Sequence, residues 1–162
     1  MSIITQNVDS LHWRRGSENV TELHGRTDHL KCMGCGALRD QRDFHDELEE
    51  LNRDWLARAL AEQVETSARP DGDADVASEN YSQVVVPPCT RCGGFLKPNV
   101  VFFGDSVPKH RVERCRAAID AADGLLCVGS SLAVHSAFRF VRAAHKKGIP
   151  IAIHQILYPA AS

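Results

Sequence analysis

Leu125-Leu126-Cys127-Val128-Gly129-Ser130-Ser131-Leu132 opens the stretch whose reading decides the fold. Four apolar residues run into a glycine-serine turn. Val134, Phe138, Val141 and Ala144 then recur at helical spacing, up to Gly148 and Pro150. The apolar run is short and ends at a glycine, so it reads as a buried strand with Cys127 in the core. The periodic segment reads as a helix over residues 134–147, stopped by the glycine and the proline. Ile149 to Ile153 is a second strand. Parallel neighbours need a crossover connection, so strand, helix and strand in this order predict a βαβ unit in a parallel sheet. The Gly129-Ser130-Ser131 turn then lies at the carboxyl end of a strand, where open α/β sheets take their ligands. Taken alone, Gly-Ser-Ser is a common loop sequence.

Working back toward the N-terminus, Val100-Val101-Phe102-Phe103 is another apolar run ending at a glycine, Gly104, and reads as a buried strand. Residues 108–122 follow with Val112, Cys115, Ile119 and Ala122 on one face, an amphipathic helix that places Cys115 in the core. Further back stand two copies of Cys-x-x-Cys. The first is Cys32-Met33-Gly34-Cys35-Gly36, the second Cys89-Thr90-Arg91-Cys92-Gly93. A thiolate pair with two residues between can grip a tetrahedral metal from a tight turn. The glycine after each second cysteine permits the positive φ that such a turn needs. Two knuckles supply four sulfurs and leave no position open for water, so Cys32, Cys35, Cys89 and Cys92 are expected to hold one structural zinc. A redox motif of the thioredoxin kind needs one such pair at a helix start instead.

The knuckles are 53 residues apart. Within that insert, Phe44, Leu48, Leu51, Trp55 and Leu60 predict a helix over 43–64, packed through this face. Pro70-Asp71-Gly72-Asp73-Ala74-Asp75 reads as a solvated loop. A calcium loop would need glycine where Val76 stands and glutamate where Ser82 stands.

The rest of the composition narrows the function classes. The chain has 162 residues, 43% hydrophobic and 25% charged, with a formal net charge of −2. That is room for one domain with a small lobe attached. No basic surplus or aromatic-basic face points to nucleic acid, and no run reaches the roughly 20 apolar residues of a membrane helix. The paired spacing of four of the six cysteines suits a reducing compartment with a metal site better than a disulfide framework. Two short stretches carry candidate chemistry. Gln6 and Asn7 offer amide groups that can grip a carboxamide or sugar hydroxyls, and Asp9 can orient a ligand or cap the next helix. His24, between Leu23 and Gly25, titrates near neutrality and has a small neighbour that admits a ligand, as a general base requires.

Taken in order, these pieces resemble the sirtuin family of NAD-dependent protein deacylases. Thr5-Gln6-Asn7-Val8-Asp9, Leu23-His24-Gly25, the cysteine knuckles, Lys97-Pro98-Asn99-Val100-Val101-Phe102-Phe103-Gly104-Asp105 and Gly129-Ser130-Ser131-Leu132 all stand in family order, from about residue 3 to 153. The long spacer and the Pro70-Asp71-Gly72-Asp73 loop look like the class II branch, which includes the mitochondrial sirtuin-four type and bacterial relatives. The resemblance implies an α/β fold: a partial Rossmann-like parallel sheet over residues 1–28 and 97–162, with a smaller inserted zinc-ribbon lobe over 29–96. It implies two cofactors, NAD and zinc, and a reaction in which an acyl group passes from lysine to ADP-ribose with release of nicotinamide. His24 would take a proton from a ribose hydroxyl. Gln6, Asn7 and Asp9 would line the nicotinamide-ribose pocket, and Gly129, Ser130 and Ser131 would hold the cofactor at the strand end. Val101, Phe102, Phe103 and Gly104 would pair with the substrate backbone as an added strand. The implied partners are acylated lysines of proteins, without nucleic acid or membrane. The implied location is the mitochondrial matrix in a eukaryote or the cytoplasm in a bacterium.

The sequence departs from the family at two places. The Gly-Ala-Gly-x-Ser loop, whose backbone N–H groups would meet the cofactor phosphates, does not precede Thr5 here. Gln155 stands where an asparagine usually contacts the adenosine side. Two readings follow: an incomplete catalytic domain of a deacylase, or a non-catalytic zinc-stabilised module that binds or regulates. Either way the isolated chain is expected to hold zinc and to bind NAD poorly.

Overall fold

The computed structural model describes residues 1–61, 66–68, 74–76 and 81–155. The loop expected over Pro70–Asp75 lies outside them up to Asp73, while Ala74 and Asp75 are strand with Val76 because they pair antiparallel with Thr66–Ala68. The end of the helix expected to reach residue 64 also lies outside them. In chain order the elements are β1 (Ile3–Thr5), α1 (Leu11–Arg14), β2 (Val20–Glu22), β3 (Gly25–Cys32), β4 (Leu38–Asp40), α2 (Gln41–Leu51), α3 (Arg53–Ala61), β5 (Thr66–Ala68), β6 (Ala74–Val76), a single 3₁₀ turn (Tyr81–Gln83), β7 (Leu96–Val100), α4 (Lys109–Asp120), β8 (Leu125–Val128), α5 (His135–Lys147) and β9 (Ile151–His154). Two units form: Met1–Thr27 with Val100–Ser162, and Asp28–Asn99.

The first unit is the α/β part. β1 pairs with β2 in parallel, Ile3 opposite Val20, and β8 pairs with β9 in parallel, Leu125 opposite Ile151. Both pairs need a crossover, and α5 supplies the one between β8 and β9. The core is Leu23, Cys115, Ile119, Phe140 and Ala144, with Ile4, Val112, Leu125, Ala137 and Ile151 packed around it. Thus α4 and α5 pack on one another and together cover the strands. Gly148 closes α5 at φ 78°, a left-handed position where a Cβ would be strained. Lys147 then reaches across and donates to the Ile119 and Ala122 carbonyls at 3.2 and 2.7 Å, capping the free end of α4.

Leu23 is fully buried, and its N–H donates to the Thr5 carbonyl at 2.9 Å. It is the residue just before His24, so core packing fixes the histidine backbone. Leu23→Ala should leave a cavity and cost about 3 kcal/mol, read as a lower urea midpoint at unchanged slope.

Four sequence expectations are corrected here. The strand expected at 100–103 is displaced toward the N-terminus: β7 covers Leu96–Val100, and Phe102 and Phe103 are 50% and 102% exposed. The reason is a turn. The Asp105 N–H donates to the Phe102 carbonyl at 3.0 Å, the Phe102 N–H donates to the Asp105 carboxylate at 3.3 Å, and Gly104 takes φ 88°. β8 is covered on one face only, with Leu126 and Val128 more than 60% exposed and Cys127 half-buried. On α5 Ala144 of the expected face is buried, but Val134 and Phe138 are exposed and Phe140 is buried in their place, because that helix is apolar on two faces and only one meets α4.

The helix expected over 43–64 is two helices. Asn52 breaks it at φ −120°, and its side chain is committed elsewhere: the amide donates to the Leu48 and Val85 carbonyls and accepts from the Val85 N–H, all within 2.8 Å. Of the expected packing face only Phe44 is buried, while Leu51 and Leu60 are exposed.

Candidate functional site

The second unit carries a four-cysteine cluster that could hold a metal ion. Its sheet runs β4-β3-β7, with β3 and β4 antiparallel. Cys32 ends β3, Cys35 lies in the turn to β4, and Cys89 and Cys92 lie in the turn before β7. The sheet therefore brings both knuckles together, tied by the Met33 N–H donating to the Phe95 carbonyl at 3.0 Å. Four sulfurs about 2.3 Å from one zinc lie roughly 3.8 Å apart on a tetrahedron. Here Cys32 and Cys92 are 3.5 Å apart, Cys35 and Cys89 are 3.8 Å apart, and all four sulfurs fall within 4.8 Å of one another. The donor set fits zinc.

The turns are built as the glycines require. Gly36 and Gly93 take φ 73° and 71°, and their N–H groups donate to the Cys32 and Cys89 carbonyls at 3.0 and 2.8 Å. A Cβ on Gly94 would stand 3.2 Å from the Cys32 sulfur and 3.3 Å from that of Cys92, so any side chain there would crowd both sulfurs. The backbone N–H groups of Cys35 and Gly34 point at Cys32 and bring its thiol down to about 6. Cys115 is the opposite case: burial pushes its thiol up to about 11, and it stays an inert core residue.

The first unit carries polar groups at the carboxyl ends of its strands. Gln6, just past β1, donates through Nε2 to the Ser130 hydroxyl at 3.1 Å, although 124 residues separate them. The Ser130 hydroxyl also accepts from the Leu132 N–H at 3.2 Å, and the Gln155 amide donates to the Ser130 carbonyl. Gly129 takes φ 63° and Leu132 φ 57°, so the chain turns sharply over the end of β8. Ser131 stays local, accepting from the Ala133 N–H at 3.4 Å. Asn7 is exposed, its N–H bonded to the Thr5 hydroxyl at 3.1 Å. Asp9 accepts from the Leu11 N–H at 3.0 Å, which makes it a helix-start residue.

His24 lies where β2 runs out. It is half-buried, and its carbonyl accepts from the Val101 N–H at 2.8 Å. The ring contacts Ser136, in the first turn of α5, with Nε2 2.8 Å from the hydroxyl, and it also donates to the Gln6 backbone. Burial lowers its pKa below the ordinary 6.5; the Gln6 bond opposes this and the Arg111 charge adds to it. His24 is thus neutral at pH 7, with one nitrogen able to accept a proton. The structure brings His24, Gln6 and Ser130 toward one strand-end region, while Asp9 and Asn7 serve the backbone beside it. Sequence reading missed Ser136: 112 residues separate it from His24, and a serine in a helical first turn carries no signal of its own.

Comparison with known proteins agrees with this arrangement. The Sir2 family model matches residues 1–136. An NAD-dependent protein deacetylase of Xanthomonas axonopodis pv. citri is 51% identical over 150 residues, 93% of this chain and 49% of that protein. One from Bordetella bronchiseptica is 47% identical over 150 residues, 93% of this chain and 53% of that protein. Among solved structures, one on the structural basis for sirtuin substrate affinity aligns at TM-score 0.69 and 26% identity, over 99% of this chain and 54% of that one. A Sir2–p53 peptide–NAD⁺ complex aligns at 0.68 and 26%, over 98% of this chain and 53% of that one. The chain thus spans about half the length of the curated relatives it matches. With the family model covering most of its residues, and the histidine, the strand-end serine and the four-sulfur cage held in one fold, the chain belongs to the Sir2 family.

Proposed function

We propose that this chain carries the base-bearing half of an NAD-dependent protein lysine deacylase, with zinc as a structural metal. The observation that supports it most is the neutral, half-buried His24 beside the Gln6–Ser130 contact. Bound NAD would supply an electrophilic ribose carbon that accepts the acyl oxygen as nicotinamide leaves. The residues here would do the rest. His24 Nε2 would take the ribose hydroxyl proton. Gln6 would present its amide to the nicotinamide-ribose side, with Asn7 and Asp9 shaping that loop, and Gly129, Ser130 and Ser131 would give hydroxyl and backbone groups to the adenosine-ribose side.

The exposed Val101-Phe102-Phe103-Gly104 segment would meet the acyl-lysine peptide. Its suitability rests on Phe102 and Phe103 being open to solvent and on Val101 being tied to the His24 backbone. One solved relative is described as Sir2 bound to acetylated peptide, which supports an acylated lysine as substrate. The class II assignment rests on the long spacer between the knuckles. The relatives compared are bacterial, which supports the cytoplasmic location over the mitochondrial matrix. Among the described residues no helix is long and apolar enough to cross a membrane.

The test is to incubate the zinc-loaded chain with NAD and an acetyl-lysine peptide and to follow both nicotinamide and free lysine. Equal, NAD-dependent release of the two is expected, slow and only at high NAD because the isolated chain binds the cofactor poorly. Zinc held at one per chain, with neither product formed and no NAD bound, would favour the non-catalytic module instead.

A further inference from the structure

Two bonds hold the backbone on either side of His24: Leu23 to the Thr5 carbonyl, and the His24 carbonyl to Val101. They do not fix the ring. A half-turn about the last side-chain torsion exchanges each nitrogen with a carbon at little steric cost, and a neutral imidazole has two tautomers. Only partners at both nitrogens select one orientation and one tautomer. The structure provides both. Nε2 faces the Ser136 hydroxyl at 2.8 Å, which leaves Nδ1 as the nitrogen that donates to the Gln6 carbonyl. A carbonyl can only accept, so the proton sits on Nδ1. Nε2 then carries the lone pair, and Ser136 must be the donor.

We propose that Ser136 orients His24 and links it to the substrate: its hydroxyl holds the ring as the Nδ1–H tautomer and fills the Nε2 lone pair, so that the proton reaches Nε2 through that hydroxyl. This rests on the reading of His24 as the proton acceptor. The placement on α5 reinforces it. Ser136 is the second residue of that helix, and Val134, at the cap, gives the first turn no side-chain acceptor. The free N–H groups there disfavour an imidazolium and favour a ring that offers a lone pair. Arg111 of α4 acts in the same sense. Glu22 of β2 is engaged with Arg26 at 3.6 Å and interacts with Arg111. In the transfer the Ser136 O–H proton passes to Nε2 as the ribose O–H bond breaks and its proton passes to the Ser136 oxygen, so Ser136 regains its hydrogen, one N–H bond forms and no proton is lost.

The experiment uses the zinc-loaded chain labelled with ¹⁵N at histidine. In the parent, His24 should show a protonated Nδ1 and a hydrogen-bonded, unprotonated Nε2. Ser136→Ala should shift the Nε2 resonance toward a free lone pair and mix the tautomers, with the other backbone resonances in place. Ser136→Thr keeps the hydroxyl and should restore the parent spectrum. With NAD and acetyl-lysine peptide, Ser136→Ala should lower kcat about 10-fold with KM little changed, and Thr should recover most of it. A His24 spectrum indifferent to Ser136→Ala, or disturbed equally by Ser136→Thr, would overturn the proposal. A chain without turnover whose His24 spectrum still follows the hydroxyl would support the positioning and count against the deacylase reading alone.

Discussion

Stripping zinc from the folded chain with a chelator is expected to unfold the Asp28–Asn99 unit while leaving the core around Leu23 and Phe140 largely intact. The reason is how little else the second unit buries. Its buried hydrophobic residues among those described are Leu30, Cys32, Phe44, Cys89 and the ring of Pro87, and two of these five belong to the four-cysteine cluster. Its helices contribute one buried side chain, Phe44, held under the Arg39 guanidinium at 5.4 Å. A structural zinc in a small domain contributes on the order of 10 kcal/mol at neutral pH, far more than one phenylalanine at about 2–3 kcal/mol. The α/β unit has a core of its own that touches no cysteine ligand.

The measurement is metal content by mass spectrometry alongside amide exchange. One zinc per chain is expected in the parent and close to none in Cys32→Ser or Cys92→Ser. Protection should be lost through β3 and β4 and kept in α4 and α5. Cys115→Ser and Cys127→Ser should retain full zinc. Loss of metal in either of those variants, or a chelated chain that keeps its β3–β4 protection, would show that the four-sulfur cage is not what holds this unit.

The clustering of the four cysteines was legible in the sequence because its information is local: spacing and glycine position dictate a turn, and a turn dictates where sulfurs point. The βαβ order was legible for a similar reason, since a short apolar run followed by a capped periodic segment allows few alternatives. What could not be read depended on contacts far apart in the chain. Val134 and Phe138 line up with Ala144 as well as Ala137 and Phe140 do, and only the arrival of α4 decides which are buried. Val101-Phe102-Phe103 looked like strand by composition, yet the Asp105 carboxylate turns the chain before it can pair. Asn52 ends α2 because its amide finds Val85, a partner 33 residues away. Ser136 belongs to the same class: nothing near it in sequence announces the histidine it touches.

His24→Ala should reduce NAD-dependent deacylation by at least about 100-fold, the lower range for losing a positioned general base. The loss should fall on kcat, because Gln6 and Ser130 remain to meet the cofactor. Stability should change little at pH 7. Leu23 supplies the packing next door, and a half-buried neutral ring gives up one hydrogen bond each to Ser136 and Gln6. The pH dependence separates this from a general structural defect. Burial holds the folded histidine below 6.5, while the unfolded chain titrates at about 6.5. As pH falls through 6.5, the unfolded state therefore binds the proton more readily, and stability drops until the folded histidine also protonates. His24→Ala removes that contribution, so the variant should lose less stability than the parent on going from pH 7 to pH 5, measured by urea unfolding at each pH. The parent's activity should fall over the same acid limb as Nε2 is filled. A His24→Ala chain that turns over at the parent rate, with an unchanged acid limb, would mean that the proton goes elsewhere and that His24 serves only to brace the end of β2.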